Sequence, residues 1–86
     1  MEPILHKGFK KQFRKLPAKI QEQFFKRVNL FLENKFNPIL NNHSVDSVSP
    51  GWRSINITGD YRALFEEKSE NFVIFMKIGT HSELYG

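Results

Sequence analysis

Hydrophobic residues in the first third of the chain repeat at helical spacing. Phe9, Phe13 and Leu16 lie at i, i+4 and i+7 and predict a first helix. That helix must end or restart at Pro17, because proline lacks the amide hydrogen that a helix interior needs. A long amphipathic helix is then predicted from Pro17 to about Lys35, since apolar residues recur on one face (Ile20, Phe24, Phe25, Val28, Phe31 and Leu32). A short apolar segment at residues 3–7, ended by Gly8, predicts a strand before the helices.

The second half of the chain has the pattern of a β-sheet. Residues 36–50 are rich in Pro, Asn and Ser and predict a loop, and strands are predicted at 52–58, 61–67 and 71–78. Gly59 and Asp60 form a tight turn, and residues 68–71 a looser one, so the three strands form consecutive antiparallel hairpins. In the last strand, strict alternation predicts one wholly apolar face for the helices to cover (Phe72, Ile74, Met76 and Ile78).

These elements predict an α+β fold, with two N-terminal helices packed on one face of a small twisted, mainly antiparallel sheet. The 86 residues suffice for a single small domain, here expected to span residues 1–86. Polar residues usually occupy a chain end, yet Leu84 and Tyr85 follow the titratable His81. We therefore expect the C-terminal segment to dock on the body of the protein.

Composition narrows the possible functions. The absence of Cys excludes disulfides, a thiolate nucleophile and Cys-based metal sites. The three His residues lack metal-ligand spacing, and the five Gly residues form no phosphate-binding loop, so neither a metal nor another cofactor is expected. The sequence shows no secretory signal and no apolar run of about 18 residues, so we expect a cytoplasmic protein without a membrane partner.

Positive charge is concentrated near the N-terminus. The net charge is +4, and six bases fall between Lys7 and Lys19, with no acid between Glu2 and Glu22. Such a run fits a solvated helix face and a phosphate-binding surface equally well. Its candidates for phosphate contact are Lys10, Lys11 and Arg14.

The remaining chemistry suits cleavage of RNA without a metal. The RNA 2′-OH is then the nucleophile, so the protein supplies a general base, a general acid and cations for the phosphate. His43, Asp60 and His81 can transfer protons, and Arg53, Arg62 and Lys77 can stabilise charge. A base could stack on an aromatic side chain (Trp52, Tyr61 or Tyr85). Each residue also has a structural interpretation: Asp60 as a turn residue, His43 as a surface residue, and Trp52 and Tyr61 as packing residues.

Three segments resemble one known family. Gly51-Trp52-Arg53, Gly59-Asp60-Tyr61-Arg62 and the closing Ile78-Gly79-Thr80-His81-Ser82-Glu83-Leu84-Tyr85 resemble the RelE/ParE superfamily of bacterial toxins, and its YafQ-like branch most of all. The resemblance covers nearly the whole chain. It implies an endonuclease that cleaves messenger RNA in the ribosomal A site and is neutralised by a cognate antitoxin protein.

The resemblance also implies roles for individual residues. His81 and Asp60 would be the leading proton-transfer pair, with His43 assisting or orienting. The phosphate charge would be stabilised by Lys77, Arg53 and Arg62. Two aromatic residues also match the branch: Tyr61 follows the Asp, and Tyr85 closes the chain and would orient the RNA. The sequence departs from the branch at Asn56, which stands where a second His is usual.

Two other functions stay open at this point. A ParE-like toxin binds and poisons DNA gyrase without cutting nucleic acid, and such a protein needs no His81. A catalytically inactive member would keep only the antitoxin-binding groove. The set of His43, Asp60 and His81 favours the RNA endonuclease, whereas Asn56 keeps the two alternatives open.

Overall fold

The computed structural model describes residues 1–85; Gly86, the last residue of the predicted domain, lies outside them. The elements in chain order are β1 (Glu2–Leu5), α1 (Lys7–Arg14), α2 (Ala18–Glu33), a 3₁₀ turn (Pro38–Leu40), β2 (His43–Ser44), β3 (Trp52–Asn56), β4 (Tyr61–Glu67), β5 (Phe72–Thr80) and α3 (His81–Tyr85). The five strands form one sheet in the order β1-β5-β4-β3-β2. Only β1 pairs in parallel, with β5, and the other pairings are antiparallel. The predicted α+β fold is confirmed.

Local chemistry sets the helix starts. His6 caps α1, because its Nδ1 accepts a hydrogen bond of 3.0 Å from the amide of Gly8. The first strand therefore ends at Leu5, and Gly8 lies in the first turn of α1 instead of ending the strand as predicted. Pro17 directly precedes α2, as the sequence indicates, and the amides of Ile20 and Gln21 bond to its carbonyl oxygen.

The helices bury one face of the sheet through aromatic contacts. Phe24 of α2 meets Phe75 of β5 edge to face, with ring centroids 5.4 Å apart, and Phe31 meets Phe65 of β4 at 5.0 Å. Phe9 of α1 lies 5.1 Å from Phe24. All five rings are almost completely buried, and each buried ring of this size contributes about 1.5–3 kcal/mol to folding.

The face predicted for the last strand is correct at Ile78 but wrong at Phe72, Ile74 and Met76, because a β-bulge in β5 interrupts the alternation. Phe75 pairs with Phe65 and Lys77 pairs with Leu64, so Met76 has no partner on β4. The extra residue reverses the alternation. Val73, Phe75 and Ile78 consequently face the helices, whereas Phe72, Ile74 and Met76 are only partly buried and Lys77 is exposed.

The opposite face of the sheet is not covered by α1 or α2, and we call it the open face. Ser54 and Asn56 of β3 belong to it by alternation with the core residue Ile55, as do Arg62 and Leu64 of β4 by alternation with Ala63. The predicted loop at 36–50 contains the 3₁₀ turn and β2, which pairs His43 with Ser54 and Ser44 with Arg53. His43 therefore lies on a short edge strand, not in a loop as predicted.

Candidate functional site

Four of the predicted site residues line one cleft beside the open face. This cleft has a volume of about 350 Å³, and its walls come from the segment around β2, from β4 and from α3 (Asn41, His43, Ser44, Val45, Ser47, Arg62, His81 and Tyr85). It thus brings together two imidazoles, a guanidinium and a phenol. Asp and Glu are missing from its lining within residues 1–85. A cleft with cations and no acid suits a polyanion such as RNA.

The imidazole of His43 is held in one tautomer. Its Nδ1 lies 2.7 Å from the carbonyl oxygen of Asn41, and a carbonyl can only accept a hydrogen bond. Nδ1 must therefore carry a hydrogen, and in the neutral ring Nε2 keeps its lone pair. Asn41 follows the 3₁₀ turn in the left-handed backbone region, with φ of 46°, which Asn adopts more easily than most residues. His43 is consequently arranged as a proton acceptor at Nε2.

The guanidinium of Arg62 is anchored on one side only. Its Nη1 donates to carbonyl oxygens of the β3–β4 turn, at 3.1 Å to Thr58, 3.1 Å to Gly59 and 3.2 Å to Tyr61. Within residues 1–85, Nε and Nη2 form no hydrogen bond and no carboxylate pairs with Arg62. Two nitrogens in fork geometry therefore remain for an anion such as a phosphate.

The short helix α3 places His81 and Tyr85 together. Thr80 caps it, since Thr80 Oγ1 accepts from the Glu83 amide at 3.2 Å and Glu83 Oε1 accepts from the Thr80 amide at 2.8 Å. This reciprocal pair is a capping box. His81 and Tyr85 are one helical turn apart, and their rings stack with centroids 4.6 Å apart. The backbone amide of His81 also donates to the Asp60 carbonyl at 3.0 Å, so the C-terminal segment docks on the sheet as predicted.

The capping box also explains the charge state of Glu83. The two hydrogen bonds from Thr80, first from its backbone amide and then from its hydroxyl, lower the pKa of this carboxyl below its usual 4.5. A Cβ atom at position 79 would lie 3.2 Å from Glu83 Oε1, so Gly79 leaves room for the carboxylate. The signal Thr-x-x-Glu stands in the sequence, and it could have predicted that the last five described residues form a helix.

Three buried polar atoms behind the cleft have no hydrogen-bond partner among the described residues: Ser54 Oγ, Asn56 Oδ1 and Tyr85 OH. Ser54 and Asn56 lie two residues apart on the open face, and Asn56 pairs in register with Arg62 of the cleft. An unpaired buried polar atom costs about 1–3 kcal/mol. The site therefore contains hydrogen-bonding capacity that its own side chains do not use.

Two of the other predicted catalytic residues lie outside the cleft. Asp60 is exposed in the β3–β4 turn and touches the site through its backbone carbonyl, which holds His81. Lys77 lines a separate pocket on the open face with Trp52 and Met76. The Asp60 carboxylate and the Lys77 ammonium therefore do not line the cleft together with the imidazoles of His43 and His81.

The predicted RNA-binding residues are divided between the two sides of the sheet, and Arg62 alone lines the cleft. Arg53 faces the helix side, where its Nε donates to Asn42 Oδ1 at 2.7 Å and so braces the segment that carries His43. Tyr61 packs against the core. The bases of α1 are exposed on the helix layer, and three of them line a separate depression near His6 (Lys7, Lys11 and Arg14, but not Lys10).

The structure contains no metal-binding arrangement in the part of the chain that it describes. Across residues 1–85, three or more His, Asp or Glu residues never come close enough to hold a metal ion. None of the helices over the same residues has the length and apolar character needed to cross a membrane. Besides Arg62, the titratable side chains that line the cleft are two imidazoles and a phenol.

The family model of the ParE toxin of type II toxin–antitoxin systems, parDE, matches residues 4–85. The chain belongs to this ParE toxin family. Comparison with curated proteins gives no match. Among solved structures, YafQ from Escherichia coli BL21(DE3) superimposes with a TM-score of 0.80 at 16% identity, covering 99% of this chain and 98% of YafQ.

Two further toxins share the fold. The YoeB/ParE toxin from Agrobacterium tumefaciens gives a TM-score of 0.76 at 13% identity, covering 94% of this chain and 99% of that one. RelE in the RelB–RelE antitoxin–toxin complex from Methanococcus jannaschii gives a TM-score of 0.73 at 17% identity, covering 95% of this chain and 94% of that one. At these identities the similarity establishes the fold of this ParE-family toxin, and its chemistry has to be argued from the cleft.

Proposed function

We propose that this ParE-family toxin is a metal-independent endoribonuclease that cleaves messenger RNA in the ribosomal A site and thereby stops translation. The single observation that supports this proposal most is the cleft itself, where His43, His81, Arg62 and Tyr85 meet without an acid in the described lining. The structural similarity to YafQ and RelE agrees with it. Because the proposed target is the translating ribosome, a cytoplasmic location belongs to the same proposal.

The geometry of the cleft favours His43 as the general base and His81 as the general acid. His43 accepts the proton of the RNA 2′-OH at Nε2, since its Nδ1 hydrogen is held by Asn41. The 2′-oxygen then attacks the adjacent phosphorus, and the bond to the 5′-oxygen of the next nucleotide breaks. His81, in its protonated form, donates a proton to that leaving oxygen. The products are a 2′,3′-cyclic phosphate and a free 5′-OH, and atoms and charge balance without a metal.

Arg62 and Tyr85 would act on the phosphate. The free nitrogens of Arg62 bind the non-bridging oxygens, where negative charge grows as the phosphorane forms. Tyr85 supports the His81 ring by stacking, and the RNA could reach its buried hydroxyl only if α3 shifts. Asp60 and Lys77 keep supporting roles in this proposal: Asp60 holds His81 through its carbonyl, and Lys77 contacts a more distant part of the RNA.

A second candidate function follows from the family match. The matching family model is that of the ParE toxin, so poisoning of DNA gyrase without cleavage of nucleic acid is the alternative. Gyrase binding would use surface complementarity and would not require two imidazoles in one cleft. The acid-free cleft lining therefore favours the nuclease.

The proposal includes a protein antitoxin as partner. RelE was solved in complex with its antitoxin RelB. This chain has two surfaces that a protein partner could bind, the basic run on α1 and the exposed edge strand β1. An acidic segment that folds on binding would neutralise the bases and cover the edge. Such a partner would keep the toxin inactive until it is removed.

Pulse labelling after induced expression separates the two functions. The nuclease predicts a prompt fall in protein synthesis, with cut messenger RNA, before DNA synthesis changes. A primary fall in DNA synthesis, with DNA breaks that remain bound to gyrase, would overturn the nuclease and select the alternative. The His81→Ala variant, expressed to the same level, serves as the control for effects of overexpression.

A further inference from the structure

A second pocket, which the proposed reaction does not use, lies where the open face meets α1. It has a volume of about 180 Å³ and is lined by His6, Gly8, Gln12, Trp52, Met76 and Lys77. Its lining is mainly apolar and includes the side chains of Trp52 and Met76, together with Lys77 and His6. Trp52 is the only tryptophan of the chain.

The β-bulge creates this pocket. Because Met76 has no partner on β4, the next residue, Lys77, pairs with Leu64 and shares the open face with it. Without the extra residue, Lys77 would face the phenylalanine core and Ile78 would face solvent. Trp52 pairs with Glu66 on the same face, and β4 separates it from β5. Trp52 can therefore line the pocket with Met76 and Lys77 only by extending its indole across β4.

The pocket and the cleft lie along one row of the sheet. His43 pairs with Ser54, Ser54 with Leu64, and Leu64 with Lys77, so these residues form a line across four strands. Four strands correspond to three strand spacings, or roughly 14 Å between His43 and Lys77. Because Ser54 and Leu64 are completely buried, a single RNA strand that reaches from the cleft to the pocket would pass over this row without contacting their side chains.

Charge along the row favours the same ligand. The Lys77 ammonium is exposed and forms no ion pair in the described part of the chain, whereas Glu66 is neutralised by Lys68 at 3.1 Å. A phosphate that approaches Lys77 thus meets an uncompensated cation. The indole next to it offers an apolar face for the attached base.

From these observations we infer that the pocket is a base-binding subsite. A nucleobase of the RNA stacks on Trp52 and its phosphate binds Lys77 while the scissile phosphate occupies the cleft. This inference rests on the proposed function and adds a second contact with the substrate. It accounts for an exposed lysine and a half-buried tryptophan that the cleavage step does not use.

Fluorescence of Trp52 tests the subsite directly. The His81→Ala variant, which leaves RNA intact, is titrated at low salt with a short single-stranded RNA oligonucleotide. Stacking on the indole predicts saturable quenching of its emission. Inorganic polyphosphate serves as a control, because it carries charge without bases and should bind without quenching. Equal quenching by polyphosphate would overturn the inference.

Substitutions give an independent measurement. In the same His81→Ala background, Trp52→Ala should weaken RNA binding by about 5- to 150-fold in anisotropy titrations, the usual contribution of one base–aromatic stack. Trp52→Phe keeps an aromatic ring and should lose less RNA affinity than Trp52→Ala. This difference separates stacking from a folding defect. The matched control is Phe36→Ala, since Phe36 is 62% exposed and also lies beside a lysine, Lys35, whose Nζ is 5.5 Å from its ring. That control should bind RNA with unchanged affinity.

The failure of the subsite and that of the proposed function give different results. An oligonucleotide that binds the His81→Ala protein without a change in Trp52 emission would overturn the subsite. The nuclease would stay intact if the wild type still cleaves messenger RNA on the ribosome. Both would be overturned if the oligonucleotide does not bind the His81→Ala protein and the wild type leaves messenger RNA on the ribosome intact.

Discussion

Tyr85 carries a buried hydroxyl that has no partner among the described residues. Removing an unpaired buried hydroxyl relieves a desolvation cost of about 1–3 kcal/mol. We therefore expect Tyr85→Phe to melt no lower than the wild type, because the ring that stacks on His81 is retained. If the hydroxyl binds RNA, cleavage should fall in the same variant. A lower melting temperature with unchanged cleavage would assign the hydroxyl to folding.

His81 is the residue on which the nuclease depends most. His81→Ala should lower the cleavage rate by about 10²- to 10⁴-fold, the usual contribution of one general acid or base. Its side chain is exposed, so the melting temperature should change little. Ser82→Ala is the matched control, because Ser82 is an exposed neighbour in the same helix. Wild-type cleavage by a folded His81→Ala protein would remove this imidazole from the mechanism.

The sequence predicted four of the side chains that line the cleft, but not which two proton-transfer groups lie in it together. His43, Arg62, His81 and Tyr85 were all expected at the site, and they line one cleft. The resemblance to the YafQ-like branch implied Asp60 as the partner of His81, with His43 assisting. The structure instead places His43 opposite α3, because β2 adds a strand to the sheet edge next to β3. A two-residue strand carries no hydrophobic alternation from which it could have been predicted.

At the scale of the elements, α3 depends on the capping box. Glu83 has a lowered pKa in the folded state, so its carboxylate stabilises the folded state above its usual value of 4.5, and this contribution is lost as the pH falls through the lower folded value. We expect the helical Cα chemical shift of Leu84 to stay constant from neutral pH down to about 4.5 and to decline only in stronger acid.

Substitutions of Glu83 test the role of the capping box. Glu83→Ala should loosen α3 and lower cleavage at neutral pH, because His81 loses its fixed position. Glu83→Gln keeps an oxygen that accepts from the Thr80 amide and should retain the helix. Loss of the Leu84 helical shift between pH 5 and 7 in the wild type would contradict the role given to the carboxylate.

The bulge in β5 shows why the strand pattern predicted the fold but not every side-chain direction. The apolar residues from Phe72 to Ile78 identified the strand correctly. Apolar side chains stand on both faces, so the sequence offered no polar marker for the extra residue at Met76. Only the pairing of Lys77 with Leu64 reveals that the alternation reverses there.

For the whole molecule, the exposed apolar and basic surface predicts a stabilising partner. Phe25 is 52% exposed, and it lines an apolar groove of about 230 Å³ between β1 and α2, on the layer that carries the basic run. Co-expression with the protein from the adjacent reading frame should give a complex that melts at higher temperature. Binding at a concentration 100 times the Kd adds about 2.7 kcal/mol of stability. A toxin that purifies alone and melts unchanged would contradict the antitoxin proposal.

The whole molecule also determines where cleavage can occur. The cleft offers few side chains to align the 2′-OH with the phosphate, and imposed alignment is worth roughly 7–11 kcal/mol. The ribosome holds messenger RNA in a defined geometry and would supply this alignment. Free RNA should consequently be a poor substrate.

The most direct test of the central claim uses purified ribosomes carrying messenger RNA with an empty A site. We predict rapid cleavage within the A-site codon by the wild type, with a 2′,3′-cyclic phosphate and a 5′-OH at the cut. Cleavage of the same RNA without ribosomes should be much slower, and the His81→Ala variant should cleave almost none. Intact messenger RNA on the ribosome, together with gyrase-linked DNA breaks in a parallel assay, would contradict the central claim.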